Sequence, residues 1–230
     1  MDINRISFYQ YNTIIVGTGA AGLNAAVTLH KLGQKNIALI TEGRYMGTSR
    51  NTGSDKQTYY KMTQCGSEPD SVRKMAKTLF EGGCVDGDIA MAEAAGSLRA
   101  FYHLVDIGVP FPFNKSGEYV GYKTDHDPLK RGISAGPLTS KYMTECLERQ
   151  AEERGIPFFD GYQAVRLLTE EKDGEKRAAG IIALNKQKAA SPDERYAVFS
   201  AVNIIWATGG EAGMYQASVY PVSQTGGMGV

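Results

Sequence analysis

The stretch that decides the fold is "TIIVGTGAAGLNAA", Thr13–Ala26, an apolar run that breaks into glycines and resumes as a helix-forming segment. Ile14, Ile15 and Val16 read as a short buried strand ending at Gly17. Ala20 to Leu32 places Ala21, Ala25 or Ala26, Leu29 and Leu32 at helical spacing, and Gly33 stops it. "NIALIT", Asn36–Thr41, reads as a second apolar strand. A crossover between parallel strands is nearly always right-handed, so the three form one βαβ unit with its loop at the carboxyl end of the first strand.

The loop has G-x-G-x-x-G spacing, and each glycine has its own task. Gly17 allows the tight turn off the strand, Gly19 lets the backbone approach a pyrophosphate, and Gly22 lets helix and strand pack closely. A helix starting at Ala20 offers unpaired N–H groups and a positive dipole end to an anion. Glu42 lies 20 residues beyond Gly22, where an acid can accept from ribose hydroxyls, and Thr41 or the Gly43 backbone could share or replace that role. No arginine stands in the acid's place, which argues against a ribose 2′-phosphate. The motif thus predicts a dinucleotide site, without saying which dinucleotide.

The remaining composition narrows the class. Twenty-five basic and 25 acidic residues cancel, with no basic block, which argues against nucleic-acid binding. "MDINRISFYQYN" has no apolar core of signal-peptide length, and runs such as "NIIWA" are too short to span a bilayer. Cys65, Cys84 and Cys146 are scattered, with no disulfide framework and no zinc spacing. The expected setting is the cytoplasm, with no metal.

Past Thr41 the chain stops alternating as a nicotinamide dehydrogenase would. Glu42–Met62 is a polar loop too long for an ordinary connection. Two helices follow, one capped by Asp70 or Ser71 and burying Val72, Met75, Ala76 and Leu79, the other capped by Asp88 and running Ile89–Ile107. "DHDPLKRGISAGP" is a further irregular loop, and Leu138–Arg154 a further helix. From Gly161 the period becomes two: "QAVRLLTEE", "AAGIIALNK" and "RYAVFSA" predict three antiparallel strands, and "VNIIWATGG", Val202–Gly210, a separate buried parallel strand. The expected fold is α/β, a Rossmann-like domain over residues 1–230 with a parallel sheet, an antiparallel β-meander and inserted helices.

The paired ends of the chain resemble a known family: the flavoprotein subunits of succinate dehydrogenase and fumarate reductase, with L-aspartate oxidase and related FAD-dependent oxidoreductases. The resemblance lies in "IIVGTGAAGLNAA", "NIALITEG" with the Ser49–Asp55 loop behind it, "GVPF" after a long helix, and "IIWATGG…Y…S…TGGMG". It implies a glutathione-reductase-type FAD-binding domain and hydride transfer between flavin and a small carboxylate substrate, with an electron-transfer partner possible. It implies that Gly17, Gly19, Ala20, Ala21 and Gly22 hold the pyrophosphate and that Thr41, Glu42 and Gly43 surround the ribose. Ser49, Asn51, Thr52, Gly53 and Ser54 would line the ribityl and flavin-ring side, Ala164 and Val165 would meet the adenine, and Ala207, Thr208, Gly209, Thr225 and Gly226 would approach the dinucleotide. His126 and Arg131, in "TDHDPLKRG", match a loop that carries substrate ligands, and Arg suits a carboxylate through its planar fork. Lys56, Tyr59 and Tyr60 are further residues that could lie near the ring; His103 reads as a packing residue and His30 as a protonated imidazole at a helix C-terminus.

Two departures matter. Respiratory members carry a flavin-bonding histidine in an "SHT" stretch where this chain has Ser49-Arg50-Asn51, so non-covalent FAD is expected. The family's "TGDG" reads Thr225-Gly226-Gly227-Met228, without the acid. The resemblance also implies a capping domain and a returning segment after this point, so the chain is expected to hold the N-terminal portion of the FAD-binding domain. A nicotinamide dehydrogenase and a non-catalytic flavin- or partner-binding protein are the alternatives the residues leave open.

Overall fold

Residues 5–54, 56–125 and 127–225 are described by a computed structural model of the chain. Two compact units emerge, one from residues 1–52 and 147–230, the other from 53–146. The fold is mixed α/β, with a mostly parallel sheet completed by antiparallel strands.

The first unit is built on a six-stranded sheet. Its strands are β1 (Ser7–Val16), β2 (Ile37–Thr41), β5 (Phe158–Asp160), β6 (Tyr162–Lys172), β7 (Glu175–Asn185) and β8 (Tyr196–Trp206), in the order β5-β2-β1-β8-β7-β6. Helix α1 (Ala20–Lys31) makes the predicted crossover between β1 and β2, whose parallel register pairs Thr13 with Ile37 and Val16 with Ile40. All five residues of β2 are buried, as a strand covered on both faces requires. One face of the sheet packs Ile14, Val16, Ile40, Ile181 and Phe199, and an aromatic cluster extends it: Tyr9 stacks on Phe199 at 4.9 Å and meets Phe159 edge-on at 4.6 Å.

Three expectations change here. The first strand begins at Ser7 rather than Ile14, because Tyr9 and Tyr11 alternate inward while Phe8 points out. The third meander strand and the late parallel strand are one strand, β8. It pairs antiparallel with β7 over Tyr196–Ser200 and parallel with β1 along its whole length, from Ala197 opposite Ser7 to Trp206 opposite Val16. The three-residue β5, too short to show a period, adds an edge beside β2.

The second unit contains α3 (Val72–Glu81), α4 (Gly87–Asp106), the two-residue strands β3 (Tyr59–Tyr60) and β4 (Gly132–Ile133), and the beginning of α5 (Thr139–Glu153), whose chain passes into the first unit after Cys146. Ser71 caps α3 by accepting from the Lys74 amide at 3.2 Å. Asp86, not Asp88, caps α4: its carboxylate accepts from the amides of Asp88 and Ile89, leaving Asp88 as first-turn acid. Met75 and Ala76 of α3 pack on Ala90 and Ala94 of α4. Phe101 anchors an aromatic cluster with Phe111 at 4.9 Å and Tyr119 at 5.2 Å.

A charge network lies inside this unit. The Arg131 side chain is wholly buried, and its Nε and one terminal nitrogen donate to the two oxygens of Asp70 at 2.9 and 2.7 Å. Its other terminal nitrogen reaches Thr78 Oγ1 at 2.9 Å, the Tyr60 hydroxyl at 3.2 Å and Asp127 Oδ1 at 3.3 Å. Burial alone would raise the Asp70 carboxyl, but the hydrogen bonds from Arg131 and from the Thr63 and Ser71 amides hold it below the ordinary value. Close by in sequence, buried Lys61 has its ammonium nitrogen 3.4 Å from the Met62 carbonyl and 4.8 Å over the Phe101 ring; burial drives its pKa down.

Two outcomes are expected. Asp70→Asn leaves the buried guanidinium without its bidentate carboxylate and should cost roughly 3–5 kcal/mol of stability, measured by urea unfolding. The second concerns alkaline pH. Tyr59 is pushed up to about 12 by burial and then by the Glu93 charge; Tyr60 also rises to about 12, by burial and then by the hydrogen bond it donates to Asp127. Both folded values lie above the ordinary 10.0, so their stabilising contribution is complete below pH 10.0 and is lost as pH climbs toward 12. Lys61 acts with the opposite sign, its contribution improving as pH rises toward 10.5. An ultraviolet titration should show a late class of tyrosines, and this class should merge with the rest in urea.

Candidate functional site

Three parallel strands end together at the carboxyl edge of the first unit's sheet. Gly17 N donates to Ile40 O at 2.8 Å, and Ala207 N donates to Val16 O at 2.8 Å, so the turn after β1 is held between the ends of β2 and β8. The chain leaves β1 toward β2 on one side, while β8 lies on the other. That is the topological switch point at which open α/β sheets form a binding crevice.

The glycines meet steric demands that can be stated atom by atom. Gly17 has φ +110°, and a Cβ there would stand 2.3 Å from the Ala207 carbonyl oxygen. A Cβ on Gly22 would stand 2.0 Å from the Gly17 oxygen, inside the helix–turn contact. Gly19 differs. It is the N-cap of α1 in extended geometry (φ −75°, ψ −178°), and its Cβ would approach only Ser49 Oγ, at 3.4 Å. The fold therefore does not itself require glycine at this position.

The helix terminus is built to face an anion. The ladder begins with Leu23 N donating to Gly19 O, so the amides before it, those of Ala20, Ala21 and Gly22, precede intrahelical pairing. The Ala20 amide is met by Ser49 Oγ at 3.2 Å. The first turn carries no acid, and Gly19 offers no capping side chain. These features fit a pyrophosphate: a positive helix end, free of competing carboxylates, beneath a glycine surface.

Around this cradle the structure gathers much of the predicted site. Thr41 is buried, its hydroxyl 3.0 Å from that of Thr18, which also lies 3.3 Å from the Arg44 carbonyl. Glu42 is half exposed at the end of β2, its carboxylate 3.1 Å from Lys186 Nζ. Gly43 lies against Met46. The Lys186 amide in turn donates to Gly161 O at 2.9 Å, tying Glu42 to the start of β6. Three residues further, Ala164 pairs with Ala183, and a register shift leaves Val165 out of the ladder and 42% exposed. Thr208 and Gly209 (φ +82°) stand exposed beyond Ala207. Ala212 and Gly213 both donate to Gln224 O, which brings Thr225 back toward the end of β8.

The loop after β2 is more structured than expected. Thr48–Asn51 forms a single helical turn, α2, that ends at Thr52, and Asn51 Nδ2 donates to the carbonyls of Tyr45 (2.6 Å) and Gly47 (3.0 Å). Gly53 and Ser54 belong to the second unit, where Ser54 Oγ accepts from the Gln57 amide at 2.8 Å. His126 and Gly226 lie outside the described residues.

Two sequence readings need correction. Arg131, expected to bind substrate, is wholly buried and engaged by Asp70, Asp127, Tyr60 and Thr78; it is a framework cation. His30, expected to be protonated by the helix dipole, has its pKa lowered by desolvation and then by Lys35 and Arg154, and Lys35 Nζ lies 3.1 Å from its Nδ1. Lys56 is exposed, 5.7 Å over the Tyr122 ring, and His103 is half-buried on α4. Thr18, Arg44, Glu148 and Lys186 were not foreseen. Only Thr18, between two motif glycines, carried a local signal; Arg44 and Glu148 meet across 104 residues.

The sequence model of a family described as the FAD binding domain matches residues 12–229. Among curated proteins, the L-aspartate oxidase of Agrobacterium fabrum is 27% identical over 93% of this chain and 38% of its own length. The succinate dehydrogenase flavoprotein subunit of Rickettsia conorii is 26% identical over 92% and 35%, respectively. A solved E. coli quinol fumarate reductase FrdA chain superposes with a TM-score of 0.81 at 21% identity, over 97% of this chain and 37% of that one; at that identity the likeness is one of fold. The chain thus spans well under half the length of these relatives.

The cradle geometry separates two glycine variants. Gly22→Ala drives a methyl into backbone and should destabilise the fold by several kcal/mol, on the order of an overpacked core. Gly19→Ala has room and an allowed backbone, so its melting point should stay near wild type while affinity for a bound pyrophosphate falls, by about tenfold for each charged hydrogen bond lost. Thermal melts with and without FAD distinguish the two.

Proposed function

The chain belongs to the FAD binding domain family, and on that premise we propose that it holds FAD non-covalently for an oxidoreductase acting on a small carboxylate substrate. The observation that carries the reading is the acid-free α1 N-terminus under Gly19, with Glu42 at the end of the next strand. In this reading Gly17, Gly19, Ala20, Ala21 and Gly22 receive the pyrophosphate, and Glu42 accepts from the ribose with Thr41 and Gly43 beside it. The exposed Val165 backbone next to Ala164 meets the adenine. Ser49, Asn51 and Thr52 continue toward the ring, while Ala207, Thr208, Gly209 and Thr225 close the other side.

FAD, when bound, supplies a centre that accepts or donates hydride. This chain's residues bind and orient it. The α1 N-terminal amides would donate hydrogen bonds to the pyrophosphate, and Gly19, with no side chain, would let the phosphates approach the backbone. Non-covalent attachment follows from Ser49-Arg50-Asn51, in which no imidazole is available to bond the ring, and Arg50 is paired with Glu148. The relatives named for L-aspartate, succinate and fumarate point to a dicarboxylate or amino-dicarboxylate. Such a substrate needs cationic donors, and with Arg131 committed to Asp70, His126 is the remaining candidate from its loop. An electron-transfer partner and a cytoplasmic setting belong to the same proposal; no helix among the described residues is long and apolar enough to cross a membrane.

The test is a purified chain titrated with FAD, followed by acid precipitation. Flavin absorption should travel with the native protein and remain in the supernatant after precipitation; flavin left in the pellet overturns the non-covalent assignment. A chain that neither carries nor takes up FAD sinks the whole reading. Reduction of bound flavin by succinate or L-aspartate, or reoxidation by fumarate, tests the substrate class. FAD binding without either response favours the reading in which this stretch serves only to bind flavin.

A further inference from the structure

The loop from Glu42 to Asn51 carries residues expected at the adenosine ribose (Glu42, Gly43) and on the ribityl and flavin-ring side (Ser49, Asn51), yet nothing apolar fixes it. None of its side chains is buried, and Tyr45 and Met46 are 59% and 43% exposed. What holds it is charge. Glu148, on α5 and only 8% exposed, accepts from Arg44 Nε with one carboxylate oxygen and from Arg50 with the other. Arg44 also donates to Glu152, lies 4.1 Å over the Phe158 ring, and has its backbone amide bound by Asp160 at 2.8 Å. Arg50 lies 5.1 Å over the Tyr45 ring.

The spacing gives this clamp its meaning. Arg44 stands two residues after Glu42, and Arg50 stands next to Ser49, whose hydroxyl meets the Ala20 amide. Between them, Gly47 lies close to Gly19, its Cβ position 3.4 Å from Gly19 Cα. One carboxylate therefore holds both ends of the loop that frames the cradle. We propose that Glu148 is a positioning residue for the dinucleotide site, setting through Arg44 where Glu42 stands and through Arg50 where Ser49 stands. The inference rests on the FAD reading above.

The sign of the effect separates positioning from simple electrostatics. Neutralising a carboxylate near an anion site should, through the field alone, tighten binding of a pyrophosphate. Loss of positioning weakens it. In the full chain, Glu148→Gln should raise the FAD dissociation constant by about tenfold or more, because it weakens the charge-assisted contacts to both Arg44 and Arg50. Glu152→Gln, which touches only Arg44, should change it far less. FAD affinity is measured by fluorescence titration, and the melting point of FAD-free protein is recorded in parallel.

Combining E148Q with R50Q should weaken binding by less than the product of the single effects, because both remove one contact. Unchanged or tighter FAD binding by E148Q overturns the proposal, as does strictly multiplicative behaviour of the pair. If E148Q fails to fold, R50Q alone decides, by weakening FAD binding at an unaltered melting point or failing to do so. Absence of FAD binding by the wild-type chain overturns the FAD reading itself, which is a distinct result.

Discussion

The structure turns on the place where the backbone of Gly17 lies against the carbonyl of Ala207. Strands 190 residues apart in the chain meet there in parallel register, and no side chain can be accommodated between them. Because β1 is flanked by β2 and β8, both parallel to it, its carboxyl end becomes the mouth of the crevice. The α1 terminus, the acid on β2 and the glycines after β8 all take their positions from this contact. The motif glycines are thus of two kinds. Gly17 and Gly22 satisfy the fold, whereas Gly19 has an ordinary extended backbone and room for a methyl.

Charge is used differently in the two units. In the second, the Arg131 and Asp70 side chains are wholly buried, and their cost of desolvation is offset by each other, by Tyr60, Thr78 and Asp127 around the guanidinium, and by the Thr63 and Ser71 amides on the carboxylate. Such a pair cannot offer itself to a ligand without leaving a buried charge. In the first, Arg44, Arg50, Glu148 and Glu152 form a chain from a buried carboxylate to an exposed one. There the ions substitute for the missing apolar core of a loop. The same residue types therefore serve as internal framework in one place and as a brace for an exposed segment in the other.

The βαβ unit was legible because its signals are local: an apolar run, glycines at fixed offsets, a helical period, and an acid at the right distance. The pairing of "ATGG" with the first motif was legible through the resemblance, which also named FAD. Less could be read where two signals overlapped or where partners are remote. Tyr196–Trp206 changes from alternating to continuously apolar along its length, and that change reads as two strands when it marks one strand with two different neighbours. Arg131 read as a substrate ligand because no local pattern reveals Asp70, 61 residues away. His30 was misread for the same reason in miniature: the dipole of its own helix is visible in sequence, the approach of Lys35 is not.

The single strand β8 acts as a ruler. Its first half is indexed by Phe199 and Ala197 in the sheet core, where a one-residue slip would turn every inward side chain outward. Its far end sets Ala207 against Gly17. Since a strand advances about 3.3 Å per residue, that indexing in the aromatic core measures out the site's far wall to within a fraction of a residue. The geometry of the crevice is thus set some ten residues away from it, by packing in the core of the sheet.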